Sequence, residues 1–182
     1  SDVNGLLDGI KPAEESDLAN LATSESLVSA APVEGKPFYD PIGGESLGHV
    51  AYVLYGKKSR SGLLKDLNPS LSNPDALSVS DKVYFDFNGL APQPLYLTKG
   101  LIDRYPEKLA IGIERKNTKQ GLQKASAKLE HGETLQKLSK RLYGTTRYWT
   151  EIYLLNRERL GGYDKVSTGA ELMVFHREMN AG

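Results

Sequence analysis

The side chains able to do chemistry are few and scattered. The three histidines are His49, His131 and His176. None stands in a His-Glu-x-x-His frame or beside carboxylates at metal-ligand spacing. Cysteine is absent, which removes thiolate nucleophiles, thiolate metal sites and disulfides together. No Gly-x-Ser-x-Gly elbow and no phosphate-cradling glycine loop is present. Carboxylates are plentiful, but no pair falls into a glycosidase pattern, and solvated surface charge accounts for them. Arg115, Lys116, Lys119, Lys124 and Lys128 form a loose basic run, which reads as a solvated face or a contact for anionic polymers. These residues predict no catalytic role, no cofactor and no metal ligands.

What the chain does carry is a set of hydrogen-bonding residues written twice. Gly44-Glu45-Ser46-Leu47, Tyr55-Gly56 and Leu67-Asn68 return as Gly132-Glu133-Thr134-Leu135, Tyr143-Gly144 and Leu155-Asn156. Each pair is offset by 88 positions (132 − 44, 144 − 56, 156 − 68). A repeat of this kind fixes the architecture before any other reading. Duplication also favours binding over catalysis, because copying a weak site multiplies its effect.

The elements that must position these residues follow from periodicity. In the first copy Phe38, Asp40 and Ile42 alternate as a strand, with Pro41 suited to an edge. Ser46 is an N-cap, and Leu47, Val50, Ala51, Leu54 and Tyr55 mark one face of a helix that Gly56 ends. Leu63, Leu64 and Leu67 mark a second helix, and Val83 and Phe85 a returning strand. In the second copy Thr134 caps, Leu135, Leu138 and Leu142 form the stripe, and Gly144 terminates. Trp149, Ile152 and Leu155 form the second helix's inner face, and Leu172 and Val174 the last strand. The predicted class is α+β: two small β-α-α-β domains, 37–87 and 125–182, the latter with a short tail. A partly structured, packed segment, 88–124, joins them, with Leu95-Tyr96-Leu97 as a candidate strand. Residues 1–36 form an acidic arm expected to be disordered. The chain has 182 residues, 39% hydrophobic and 25% charged, with a formal net charge of zero. No global field therefore points to nucleic acid, and no apolar run is long enough to span a bilayer.

With this order and these motifs the chain resembles the lysin-motif (LysM) family in two tandem copies, covering over half its length. The resemblance rests on Gly-Glu-Ser/Thr-Leu at the first helix, Leu-Tyr-Gly at its end and Leu-Asn after the second. Trp149-Thr150-Glu151-Ile152 and the turn Thr168-Gly169-Ala170-Glu171-Leu172 add to it in the second copy. It implies a non-catalytic, carbohydrate-binding protein of a bacterial cell envelope, periplasmic or cell-wall associated. The implied ligand is peptidoglycan or a related N-acetylglucosamine polymer. The implied groove lies between the loop before the first helix and the loop after the second. That places Gly44, Glu45, Ser46, Leu47, Asn68, Pro69, Ser70 and Leu71 at one glycan-binding site. Gly132, Glu133, Thr134, Leu135, Asn156, Arg157 and Glu158 are placed at the other.

The same residues have a purely structural account. Ser46 and Thr134 cap helices, the glycines turn the chain, and the two leucines belong to a core. The copies also depart from the family pattern, with Ser80-Asp81 in place of a glycine turn and Arg157 in place of proline. Two other readings therefore stand beside wall binding. One is an adaptor in an envelope machine or phage-tail-like assembly, contacting envelope proteins. The other is the wall-targeting part of a larger hydrolase. The pattern predicts that Leu138→Asp unfolds the second copy, since a buried unpaired charge costs several kcal/mol. A variant that melts like the parent in thermal circular dichroism would show the helical stripe to be misassigned.

Overall fold

Matching residues at matching ends start and stop the first helix of each repeat. The computed structural model describes residues 35–178, so the expectations placed on the acidic arm lie outside the described residues. Helix α1 (Leu47–Tyr55) begins where Ser46 Oγ accepts the His49 amide at 3.1 Å, and it ends at Gly56, whose φ is +73°. Its counterpart, α5 (Leu135–Tyr143), begins with Thr134 Oγ1 accepting from the Lys137 amide at 3.1 Å and ends at Gly144, φ +79°. Only the left-handed region accommodates that exit, which is why glycine stands at both ends. A 3-10 turn follows in each copy, Lys58–Arg60 and Thr146–Tyr148, and leads into α2 (Ser61–Leu67) and α6 (Trp149–Asn156).

Each copy closes with a small antiparallel sheet. Strand β1 (Phe38–Tyr39) pairs with β2 (Val83–Tyr84), and β3 (Lys124–Lys128) pairs with β4 (Glu171–Phe175). Phe38 faces Tyr84 in the first sheet and Ser126 faces Met173 in the second. The offset is thus 88 on the opening strands and 89 on the closing ones (126 − 38, 173 − 84), one residue being added after the second helix. The segment between the copies holds a 3-10 turn at Pro94–Tyr96 and two helices, α3 (Lys99–Arg104) and α4 (Pro106–Lys119). Among the described residues the fold is α+β, with six α-helices and two two-stranded sheets.

Two apolar cores run through one compact unit that starts at Phe38. The first joins Val50, Leu54, Leu64 and Val83 to Leu101, Ile102, Leu109 and Ile113 of the connecting helices, and it also takes in Leu154 from α6. The second holds Leu135, Leu138, Ile152, Leu172 and Val174. Trp149 and Tyr153 touch both. Helix α6 is therefore enclosed on two sides. Thr150 Oγ1 donates to the Pro94 carbonyl at 2.7 Å, tying α6 to the connecting segment. Next to it the fully buried Glu151 accepts Asn117 Nδ2 at 2.7 Å and both terminal nitrogens of Arg177. The Arg177 guanidinium also lies 4.3 Å from the centre of the Tyr148 ring.

Several local expectations change in the fold. The first strand's inward residue is Tyr39, 1% exposed, while Ile42 is 72% exposed. Phe38 instead lies under Arg104 and Lys82 as a cation–π partner. On α2 only Leu64 is buried, and Leu63 and Leu67 face outward, because a helix this short presents a single position to the core. Leu95-Tyr96-Leu97 is no strand, since Pro94 opens a 3-10 turn there. On α6 the inner face includes Glu151 and Leu154: Leu154 joins the first core, and Glu151 meets Asn117 of α4 as well as Arg177.

Removing one partner of a buried ion pair strands the other charge at a cost of about 3–5 kcal/mol. Arg177→Met is expected to lower the urea midpoint by that order, and the double variant Glu151→Met, Arg177→Met to recover part of the loss. A double variant as unstable as the single one would assign the effect to Arg177 packing on Tyr148 instead of to the charge.

Candidate functional site

The asparagine that ends the second helix in each copy ties that helix to the closing strand. Asn68 Nδ2 donates to Leu64 O at 2.7 Å and to Tyr84 O at 2.8 Å, while its Oδ1 accepts the Tyr84 amide at 2.8 Å. Asn156 repeats the pattern with Ile152 O, Met173 O and the Met173 amide at 2.7, 2.8 and 2.8 Å. Both amide hydrogens are used in each case, and both residues are buried. Asparagine is needed because only a side-chain amide supplies two donors and an acceptor in one plane. Their side chains are thus committed to the fold, and a ligand beside them would meet other groups.

The acidic residue before each cap has a similar task. Glu45 Oε2 accepts from Tyr39 Oη at 3.0 Å and the Ile42 amide at 2.9 Å, and Oε1 accepts from the Gly43 amide at 2.8 Å. Glu133 accepts the Glu130 amide at 3.1 Å and a two-pronged contact from Arg141, with Nε and Nη2 each at 2.8 Å. Each carboxylate therefore closes the turn between strand and helix.

In the first copy this turn is fastened to the loop after α2. Gly44 N–H donates to Leu77 O at 2.7 Å, Leu77 N–H to Glu45 O at 2.7 Å, and Leu47 N–H to Pro74 O at 2.9 Å. Between the two loops lies an open cavity of about 420 Å³. Its walls are Leu47, Pro69, Leu71 and Pro74, with Asn68 at the base and Lys65 and Asp66 at the rim. An apolar lining with a few polar groups at its edge is the usual form of a small-ligand site. Of the residues expected at the first site, the cavity gathers Leu47, Asn68, Pro69 and Leu71. Gly44, Glu45, Ser46 and Ser70, also expected at this site, do not line the cavity. Lys65, Asp66 and Pro74 were not expected there. The Asn73-Pro74 turn signal was available for the last of them. Lys65 and Asp66 carried no signal beyond their closeness to Asn68.

The second copy treats the corresponding surface differently. Position 65 becomes Tyr153, which meets the Tyr163 ring edge-on at 4.6 Å, and position 66 becomes Leu154, fully buried in the first core. Arg157 Nη1 turns back to Leu154 O at 2.8 Å. Gly132 and Thr134 are exposed, Glu133 is partly buried, Leu135 is fully buried, and Glu158 points to solvent. Tyr163 and Leu160 pack down onto the protein, so what serves as groove rim in the first copy is interior in the second.

The three histidines stay apart, and among the described residues no three His, Asp or Glu side chains come together as metal ligands. Among those residues no helix is long and apolar enough to cross a membrane. Compared with protein-family models, curated proteins and solved structures, the chain matches none.

Burial pushes the Glu45 pKa up, but the Ile42 and Gly43 amides, its own amide and the Tyr39 hydroxyl outweigh that and hold it below the ordinary 4.5. A carboxyl depressed in the folded state contributes stability above its unfolded pKa and loses it as pH falls through the folded one. Glu45→Gln is therefore expected to be less stable than the parent at neutral pH by about 1–2 kcal/mol. That gap should close as pH falls below 4.5, the ordinary value. Urea midpoints measured against pH test this, and a gap unchanged well below that pH would show that the carboxylate's charge is not what holds the turn.

Proposed function

We propose that this chain is a non-catalytic glycan-binding protein of a bacterial envelope, and that it holds an N-acetylglucosamine-containing polymer such as peptidoglycan in the groove of its first repeat. The observation that carries this reading is the open, apolar-walled cavity between the loops before α1 and after α2. It lies where the lysin-motif resemblance puts the sugar, and its volume falls within the range of about 300–1,000 Å³ common for small-molecule sites. Pro69, Leu71 and Pro74 offer flat apolar surface to a sugar face or an acetamido methyl. Lys65 and Asp66 offer a donor and an acceptor to hydroxyl and amide groups at the mouth.

On this reading the two copies divide the work. The second keeps the local pattern but spends the matching surface on Tyr153, Leu154 and Tyr163, and so serves as a support for the first. A single shallow groove implies affinity in the millimolar to micromolar range. Retention on a wall would come from the density of sites on the polymer.

An adaptor role has one observation of its own. Ile42 and Val79, 72% and 69% exposed, sit on the two loops behind the groove. A methyl added at Gly43 would come 3.2 Å from Val79 Cγ1, so the two loops meet there. Exposed apolar side chains on adjoining loops suit a protein contact.

Co-sedimentation with purified peptidoglycan sacculi tests the proposal. The parent protein is expected to pellet. Pro69→Asp, which places a charge on an exposed wall of the groove, should abolish pelleting, whereas Glu158→Lys in the second copy should leave it intact. A folded parent protein that stays in the supernatant would overturn the reading and favour the adaptor.

A further inference from the structure

A second concavity lies on the other side of the first repeat, and its chemistry differs from that of the groove. It encloses about 590 Å³ between the end of α1, the 89–93 segment and the last two turns of α4. Gly112, Arg115, Lys116, Lys119 and Gln120 line it from α4 at i, i+3, i+4, i+7 and i+8, which is one stripe of that helix. Lys57 faces the same space from the residue after Gly56, and no carboxylate lines it. Gly112 is required where the helix meets the 89–93 segment, because a Cβ there would stand 2.8 Å from Pro92 Cδ and 3.1 Å from Leu90 O.

Among the described residues the four cations have no carboxylate partner. Elsewhere Arg104 pairs with Asp40, Lys124 with Glu114 and Arg141 with Glu130 and Glu133. Among the described residues Lys57, Arg115, Lys116 and Lys119 form no salt bridge. Arg115 and Lys116 donate only to the Leu90 and Pro92 carbonyls, at 3.2 and 2.9 Å. Helix dipoles explain part of the arrangement, since α1 and α4 both end at this cavity. Two C-termini supply roughly half a negative charge each, about −1 in all. Four full positive charges against that leave a surplus of about +3, in a protein whose formal net charge is zero. Burial also holds the Lys116 pKa below its ordinary value, with Glu151 opposing and Arg177 adding to that effect. An anion entering the cavity would relieve all of these costs together.

We propose that this cavity binds a polyanion, a phosphate-bearing molecule with at least two negative charges, clamped between Lys57 and the α4 stripe. Arg115 supplies a planar two-pronged donor to one phosphoryl group, and the lysines supply point charge. The site is separate from the proposed glycan groove and does not depend on that reading.

Isothermal titration of the full chain with inorganic pyrophosphate tests it. Saturable one-site binding that weakens steeply with added salt is the expected result. Lys57→Gln and Lys119→Gln remove side chains that make no hydrogen bond or ion pair among the described residues, so neither threatens the fold. Together they should weaken binding at least about tenfold. Lys128→Gln, outside the cavity, should leave it unchanged. A glycerol-phosphate oligomer run alongside separates the sources: tighter binding than pyrophosphate points to a wall phosphodiester polymer, and weaker binding to a compact phosphate. No heat at millimolar pyrophosphate, or equal weakening by Lys128→Gln, would overturn the proposal by reducing the site to diffuse surface charge.

Discussion

A single carboxylate cut off from water sets how the protein is joined. Glu151 is fully buried, and among the described residues its oxygens are satisfied by Asn117 from α4 and Arg177 from beyond β4. Such a group tolerates few alternatives. A small displacement of α4 or of the chain after Phe175 would leave a charge unpaired in a dry interior, a cost that few apolar contacts could offset. Three separate stretches of chain are thereby held in one register. Thr150 adds a second tie one residue earlier, to the Pro94 carbonyl. With those two contacts made, Leu154 can sit in the first core while Ile152 sits in the second.

That junction explains why two copies with the same local pattern meet different ends. The caps, the left-handed glycine exits and the asparagine ties recur with nearly the same geometry, because each depends on atoms within its own repeat. The outward face of the second helix has no such internal constraint. In α2 it carries Lys65 and Asp66 to solvent beside an open groove. In α6 the same positions are Tyr153 and Leu154, drawn inward by the contacts around Glu151. Burying that face adds stability to the pair, at about 25 cal/mol for each Å² of apolar surface removed from water. It also removes the room for a ligand.

The legible parts of this structure were those set by local physics. Ser46, Gly56, Thr134 and Gly144 announced both ends of both first helices, because cap and exit residues act over one turn. The 88-residue offset carries both helices and the pairing register of the two strands from the first copy to the second within one residue, although the second sheet is longer. Where the reading failed, the deciding partner lay far along the chain. Phe38 is held outside by Arg104, 66 residues away, and Tyr39 takes the inward position instead. Glu151 reads as one more solvated acid on a short helix, and nothing near it in sequence announces Asn117 or Arg177. The groove is half legible for the same reason: Leu47 and Asn68 belong to the repeated pattern and Pro69 and Leu71 follow from the resemblance, but the path that brings Pro74 to them is set by the fold.

Helix α1 connects the two concavities of the first repeat. Its N-terminal residue, Leu47, forms part of the groove wall, and its last residue, Tyr55, opens onto the basic cavity. Eight rises of about 1.5 Å put those two residues about 12 Å apart along the axis. The polarity of the helix suits the division. Ser46 already satisfies the first-turn amide of His49, which leaves fewer free donors at that end. At the carbonyl end Lys57 meets Arg115, Lys116 and Lys119 of α4 around the second cavity. The direction of one short helix, fixed by a serine and a glycine, thus separates an apolar-walled groove from a basic cavity on the same repeat.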